Sequence, residues 1–150
     1  MKNLLLYYFL FATPFIVLAQ TKSELQKHIV TTLSYKAVAF KTKGIDCRVT
    51  VFQIEFNDCI MNYDIFKKVG DNIEKYTVRM LLSRIESISI EKNKEGFNEL
   101  VFTTKNKSII KEYGDGNLVY EKSQCIPLTA PDTKALAYFK RLKEVCENRK

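Results

Sequence analysis

Beyond residue 19 the spacing of apolar positions changes period twice, and each change predicts a change of element. Over residues 21–36, Leu25, Ile29 and Leu33 fall four apart, the spacing of one helix face, and Thr21-Lys22-Ser23-Glu24 has the form of a capping box. Phe40 closes that segment before a loop at Lys41-Thr42-Lys43-Gly44. From Cys47 the period is two. Cys47, Val49 and Val51 share one phase and Phe52, Ile54 and Phe56 the other, which predicts a strand with a bulge near Val51. Asn57-Asp58 turns the chain into a second strand over 59–66, where Cys59, Met61, Tyr63 and Ile65 share a face. Residues 67–75, with Gly70-Asp71-Asn72, read as a solvated loop.

Strands three to seven are expected over 76–82, 87–92, 100–104, 108–113 and 118–128, with Ile88, Ile90 and Phe102 facing inward. Lys94-Glu95-Gly96, Lys105-Asn106-Lys107 and Gly114-Asp115-Gly116-Asn117 are the turns between them. Pro127 places the end of the seventh strand at an edge. The last segment is helical: Ala135, Phe139, Leu142 and Cys146 form the apolar stripe, and Thr129 or Asp132 caps it.

The start of the chain changes the picture. Lys2, the apolar run over 4–18 and Ala19 have the pattern of a secretory signal peptide cleaved after Ala19, leaving residues 20–150 as a single domain. The run is interrupted by Pro14 and is short for a membrane span, so no integral membrane segment is expected after processing. The 19 leader residues carry one lysine and no acid, so their removal leaves 131 residues and takes the formal charge from +7 to +6. The expected location is secreted or periplasmic. There Cys47, Cys59, Cys125 and Cys146 are disulfide candidates, in a pairing that their spacing leaves open.

The order of seven strands and a C-terminal helix resembles the pleckstrin-homology-like (PH-like) fold. Local phrases are similar to those of small exported bacterial PH-like proteins of unassigned function: Phe56-Asn57-Asp58-Cys59, Met80-Leu81-Leu82-Ser83-Arg84-Ile85 and Leu100-Val101-Phe102-Thr103-Thr104-Lys105. The resemblance implies an α+β protein, a bent antiparallel seven-stranded barrel capped by the C-terminal helix, with an additional N-terminal helix. The first hairpin tip, Asn57-Asp58, lacks the basic residues by which phosphoinositide-binding members hold a lipid headgroup.

Catalytic chemistry finds little to work with. His28 is the single histidine, and it lies in a helical stretch with no pattern tying it to a nucleophile. Nucleotide-binding glycine loops, G-x-S-x-G and H-E-x-x-H are absent, and the cysteine spacings match no zinc site, so no cofactor and no metal are expected. Asp58 and Asp64, six apart, form the one carboxylate pair that a hydrolase could use. The aromatic residues fall mainly at inward phases, as core. The basic balance has no nucleic-acid motif behind it and offers clusters at Lys41 and Lys43, at Lys67 and Lys68, at Lys105 and Lys107, and along Lys140, Arg141 and Lys143 for an anionic surface. The expected function is a non-enzymatic binding or scaffold module for a protein or anionic surface. The alternative is a carrier of a small apolar ligand in the barrel interior, recognisable by a cavity of at least ~300 Å3.

Overall fold

The predicted capping box forms: Thr21 Oγ1 accepts from the Glu24 amide at 3.2 Å, and the Glu24 carboxylate accepts from the Thr21 amide at 2.7 Å. It opens helix α1, Lys22–Leu33, which buries Leu25, Ile29 and Leu33. The structure is a computed structural model that describes residues 21–148, so the expected signal peptide and its cleavage point lie outside the described residues. The helix stops earlier than residue 36 because Ser34 turns extended and Tyr35 takes a left-handed φ of 60°. Strand β1, Lys36–Thr42, follows where the periodicity suggested the end of a helix. Lys36-Ala37-Val38-Ala39-Phe40 carries helix-favouring alanines, but every residue of β1 pairs with β2, Ile45–Asn57, and that ladder overrides local preference.

β2 contains the predicted bulge. Its register against β3, Ile60–Val69, shifts between Val51 and Ile54, so both of these face inward and Phe52 turns outward, against the expectation that Phe52 is core. Ser34 Oγ accepts a hydrogen bond from the Ile54 amide at 3.0 Å, which satisfies a backbone donor at the irregularity. β3 runs into β4, Asn72–Leu81, through a two-residue turn at Gly70-Asp71. The expected loop over 67–75 is therefore a hairpin end. Its polar composition hid it, because this part of the hairpin extends past the packed core and needs no apolar alternation.

A 3-10 turn at Leu82–Arg84 leads to β5, Ile85–Lys92, β6, Asn98–Thr104, and β7, Ile109–Tyr113. The expected seventh strand is two: β8, Leu118–Glu121, and β9, Ser123–Leu128. Between them the Lys122 carbonyl accepts from Thr104 N and Oγ1 at 2.8 and 3.1 Å, and the chain changes sheets at that corner. The result is α+β, with two helices and nine strands among the described residues, the strands in two antiparallel sheets ordered β1-β2-β3-β4-β7-β8 and β5-β6-β9. This corrects the expected seven-stranded barrel: β9 passes beside β1 and β2 without joining their ladder, so no barrel closes among the described residues.

The C-terminal helix α2, Thr133–Glu147, starts at Asp132, whose carboxylate accepts from the Ala135 amide at 2.8 Å. Its buried stripe is the predicted one, Ala135, Phe139, Leu142 and Cys146, and Phe139 meets Phe102 of the small sheet edge to face. Cys146 is bridged to Cys59 at the β2–β3 turn, while Cys47 and Cys125 are free thiols. Of the four disulfide candidates, two are paired.

A bridge spanning 87 residues stabilises by about 4–5 kcal/mol on chain-entropy grounds, so Cys59→Ala with Cys146→Ala is expected to lower unfolding free energy by that order in a denaturant titration. Thiol titration of the unfolded, unreduced protein should find two thiols per chain; four would show the bridge absent, and none would show a second bridge.

Candidate functional site

The extended ends of β2, β3 and β4 build an outer sheet face in cross-strand rows. Arg48 pairs with Lys68, and Lys68 with Ile73; Thr50 pairs with Phe66, and Phe66 with Lys75. Phe52, turned outward at the bulge, packs at a tilt against Phe66 at 4.9 Å between centroids, and Tyr35 meets Phe52 edge to face at 6.1 Å. The left-handed conformation of Tyr35 delivers its ring to this stripe, where it stays 65% exposed, as does Ile73. A groove of about 380 Å3 runs over these rings. It shares Arg48 and Lys68 with a wider depression of about 610 Å3 over Ala39 and Gly70, whose small side chains leave the sheet open.

The charges on this face are unevenly compensated. Lys41 pairs with Asp46 at 3.3 Å. Lys75 lies 3.9 Å from Asp64 and 5.2 Å from the Phe66 ring centroid, a cation held over an aromatic face. Arg48 and Lys68 have no carboxylate within salt-bridge distance among the described residues, and Asp71 is the remaining acid on the rim. Rings with a net cationic border offer stacking and charge-pairing contacts to an anionic ligand.

Other candidates fall elsewhere. Arg141 and Lys143 pair along α2 with Glu144 and Glu147, at 2.8 and 2.7 Å, and Lys140 borders a shallow surface with Glu86 and Glu144. The helix cluster is thus largely neutralised. Asp58 is in the β2–β3 turn with φ 54°, not on the strand face, and is ion-paired to Lys22; Asp64 accepts from Thr77 Oγ1 at 2.6 Å. The two carboxylates hold structure at separate places. His28 stacks on Tyr138 at 5.0 Å in the pairing of the two helices. Among the described residues no three of His, Cys, Asp and Glu gather as a metal site.

The two free thiols face each other's sheet, Cys47 from β2 and Cys125 from β9. Cys47 and Cys125 both line a cleft of about 420 Å3 between the sheets. Burial, reinforced by the Glu99 carboxylate, pushes the Cys125 thiol up to about 12. Burial likewise raises the Tyr76 phenol to about 12.

The sequence offered Lys67 and Lys68 as a cluster, but left Arg48, Phe52, Phe66 and Tyr35 out of it. The signal that finds them is the plain alternation of Arg48, Thr50 and Phe52, which the bulge ends by turning Ile54 inward. No known protein family, curated protein or solved structure matches this chain.

Because the Cys125 thiol is raised on folding, the neutral form is the one the fold favours. Its stabilising contribution is complete below about pH 9, the ordinary thiol value, and is lost as pH rises towards about 12. The matching kinetic expectation is that iodoacetamide at about pH 8 alkylates Cys125 roughly a thousandfold more slowly in the native protein than in urea. Equal rates, followed by peptide mass mapping, would refute the assigned environment.

Proposed function

We propose that this protein is an exported, non-enzymatic binding module whose outer β2–β3–β4 face recognises an acidic polysaccharide. The single observation that carries this is the Tyr35–Phe52–Phe66 ring stripe lying beside the uncompensated Arg48–Lys68 pair. Sugar rings stack on aromatic faces, and their carboxylates pair with cations placed one strand away, with Arg48 able to bind bidentately. Export is part of the proposal: the leader reads as a signal peptide, and the Cys59–Cys146 bridge is consistent with an extracellular or periplasmic protein. No helix among the described residues is long and apolar enough to cross a membrane. Kinship with PH-like modules is proposed on the same terms, supported by antiparallel sheets followed by a C-terminal helix.

The non-enzymatic reading is supported by how the titratable groups are used. The one histidine packs in the helix pair, and both carboxylates of the hydrolase alternative are engaged in turn and strand contacts.

Titration calorimetry with polygalacturonate is expected to show binding that weakens as salt rises from about 50 to about 300 mM. Arg48→Glu with Lys68→Glu should weaken it about tenfold or more, and Phe66→Ala severalfold. Lys140→Glu with Lys143→Glu should leave it unchanged. Loss of binding in the helix variant with retention in the sheet variant would overturn the assignment. So would attachment to phosphatidylglycerol vesicles without attachment to the polymer, which would point to a membrane surface instead.

A further inference from the structure

The cleft between the two sheets has a different chemistry from the outer face, although the same strands build it. Its floor is the inward phase of the large sheet: Phe40 from β1, Cys47 and Val49 from β2, Ile65 and Val69 from β3, and Tyr76 from β4. Across from it stand Phe97 at the start of β6 and Pro127 of β9, and the Phe40 and Phe97 rings meet at 4.8 Å, bridging the two sheets. Besides Tyr76, the polar side chains in the lining are Thr42, Lys67, Asn93, Glu95 and Glu99, of which Glu99 accepts from Asn93 Nδ2 at 3.0 Å. Outside the lining, Lys111 is held over the Tyr76 ring at 5.2 Å while paired to Glu121 at 3.0 Å.

Two observations mark this space as more than a packing gap. Its volume, about 420 Å3, lies in the range of small-molecule sites, whereas the core beside it is filled by Ile54, Phe102 and Phe139, each essentially inaccessible. The second is Tyr76, whose phenol lines the cleft; the Gln124 side chain is a hydrogen-bonding neighbour of Tyr76 and of the buried Tyr63, the next inward residue along β3 from Ile65, which lies outside the lining. A phenol in a mainly apolar wall offers one directed donor to a guest.

We infer that the inter-sheet cleft binds a small, uncharged, largely apolar molecule carrying a hydrogen-bond acceptor, which receives a hydrogen bond from Tyr76. The apolar body packs against Phe40, Val49, Phe97 and Pro127. An anion is disfavoured by Glu95 and Glu99, which outnumber Lys67 in the lining, and the mainly apolar wall costs any ion its hydration. A neutral phenol is a donor throughout the physiological range, and desolvation strengthens its hydrogen bond to a carbonyl. The two sites use opposite phases of β3, Phe66 and Lys68 against Ile65 and Lys67, although Lys67 borders both and Phe40 and Cys47 also border the wider outer depression.

The probe is 6-propionyl-2-dimethylaminonaphthalene, a neutral fluorophore whose ketone supplies the acceptor and whose emission shifts to the blue in a dry site. The intact protein is expected to bind it saturably, one per chain, and to protect Cys125 from N-ethylmaleimide at least fivefold. Tyr76→Phe should weaken binding about fivefold to tenfold, as expected for one lost hydrogen bond, without weakening binding of the ketone-free 2-dimethylaminonaphthalene. Phe97→Glu should abolish binding of both probes; Cys125→Phe, which fills the cleft with an apolar ring, should do the same while keeping the native thermal transition. Arg48→Glu with Lys68→Glu should have no effect on the probe. Absence of saturable binding, or binding that survives Cys125→Phe in a folded protein, would overturn the inference. Equal loss of both probes on Tyr76→Phe would overturn the assignment of the donor.

Discussion

The β2–β3 turn at Asp58-Cys59 is where the separate parts of this fold are tied to one another. Cys59 is bonded to Cys146 near the end of α2, its carbonyl accepts from Leu82 N of the 3-10 turn at 2.9 Å, and Asp58 is ion-paired to Lys22 of α1. Gln26, one turn further along α1, donates to the Asp58 carbonyl at 2.6 Å. Both helices and the crossover to the small sheet therefore take their position from two residues. The left-handed φ of Asp58 costs about 1 kcal/mol, and it is retained because the surrounding contacts over-determine it.

Anchoring everything at one end leaves the other end of the long hairpins without a cap. β2 has 13 residues and β3 and β4 have 10 each, so they reach well past the core packed under α1 and α2. Past that core neither face of the sheet is obliged to be fully apolar. The outer face takes rings and cations, and the inner face stands off from the small sheet to leave the cleft. Stability and binding are thus separated along the strand axis: Met61 and Tyr63 belong to the packed half, Phe66 and Lys68 to the exposed half.

What could be read from the chain follows from how local each cause is. The two helices, the bulge near Val51 and the buried face of Cys59, Met61, Tyr63 and Ile65 depend on spacing within one segment, and they emerge from it directly. β1 did not, because alanines in a short apolar run fit either period and pairing with β2 decides between them. The polar ends of β3 and β4 showed no alternation because nothing packs over them. The break of the last strand at Lys122 depends on Thr104, and the choice of Cys146 as partner for Cys59 depends on where α2 docks; both are tertiary. The candidate face was half visible. Lysines at 67 and 68 stood out, but an alternating pattern does not say which face of a strand meets the core, so rings that bind and rings that pack looked alike.

That ambiguity explains why the bulge matters to function as well as to fold. Along β3 the outward and inward chemistries alternate residue by residue, and β2 alternates in the same way through Cys47, Arg48, Val49 and Thr50. A one-residue slip of β2 against β3 would put Arg48 into the cleft and Cys47 on the surface, exchanging the two sites. The bulge prevents this by allowing Val51 and Ile54 to be buried together, which no regular register permits. Ser34 secures it by accepting from the Ile54 amide, and Ser34 is positioned by the end of α1, where its own amide donates to Val30 at 3.0 Å. The next residue, Tyr35, then completes the ring stripe. One helix terminus thus sets the phase of the strand, and the phase of the strand decides which face is cationic and aromatic and which is apolar.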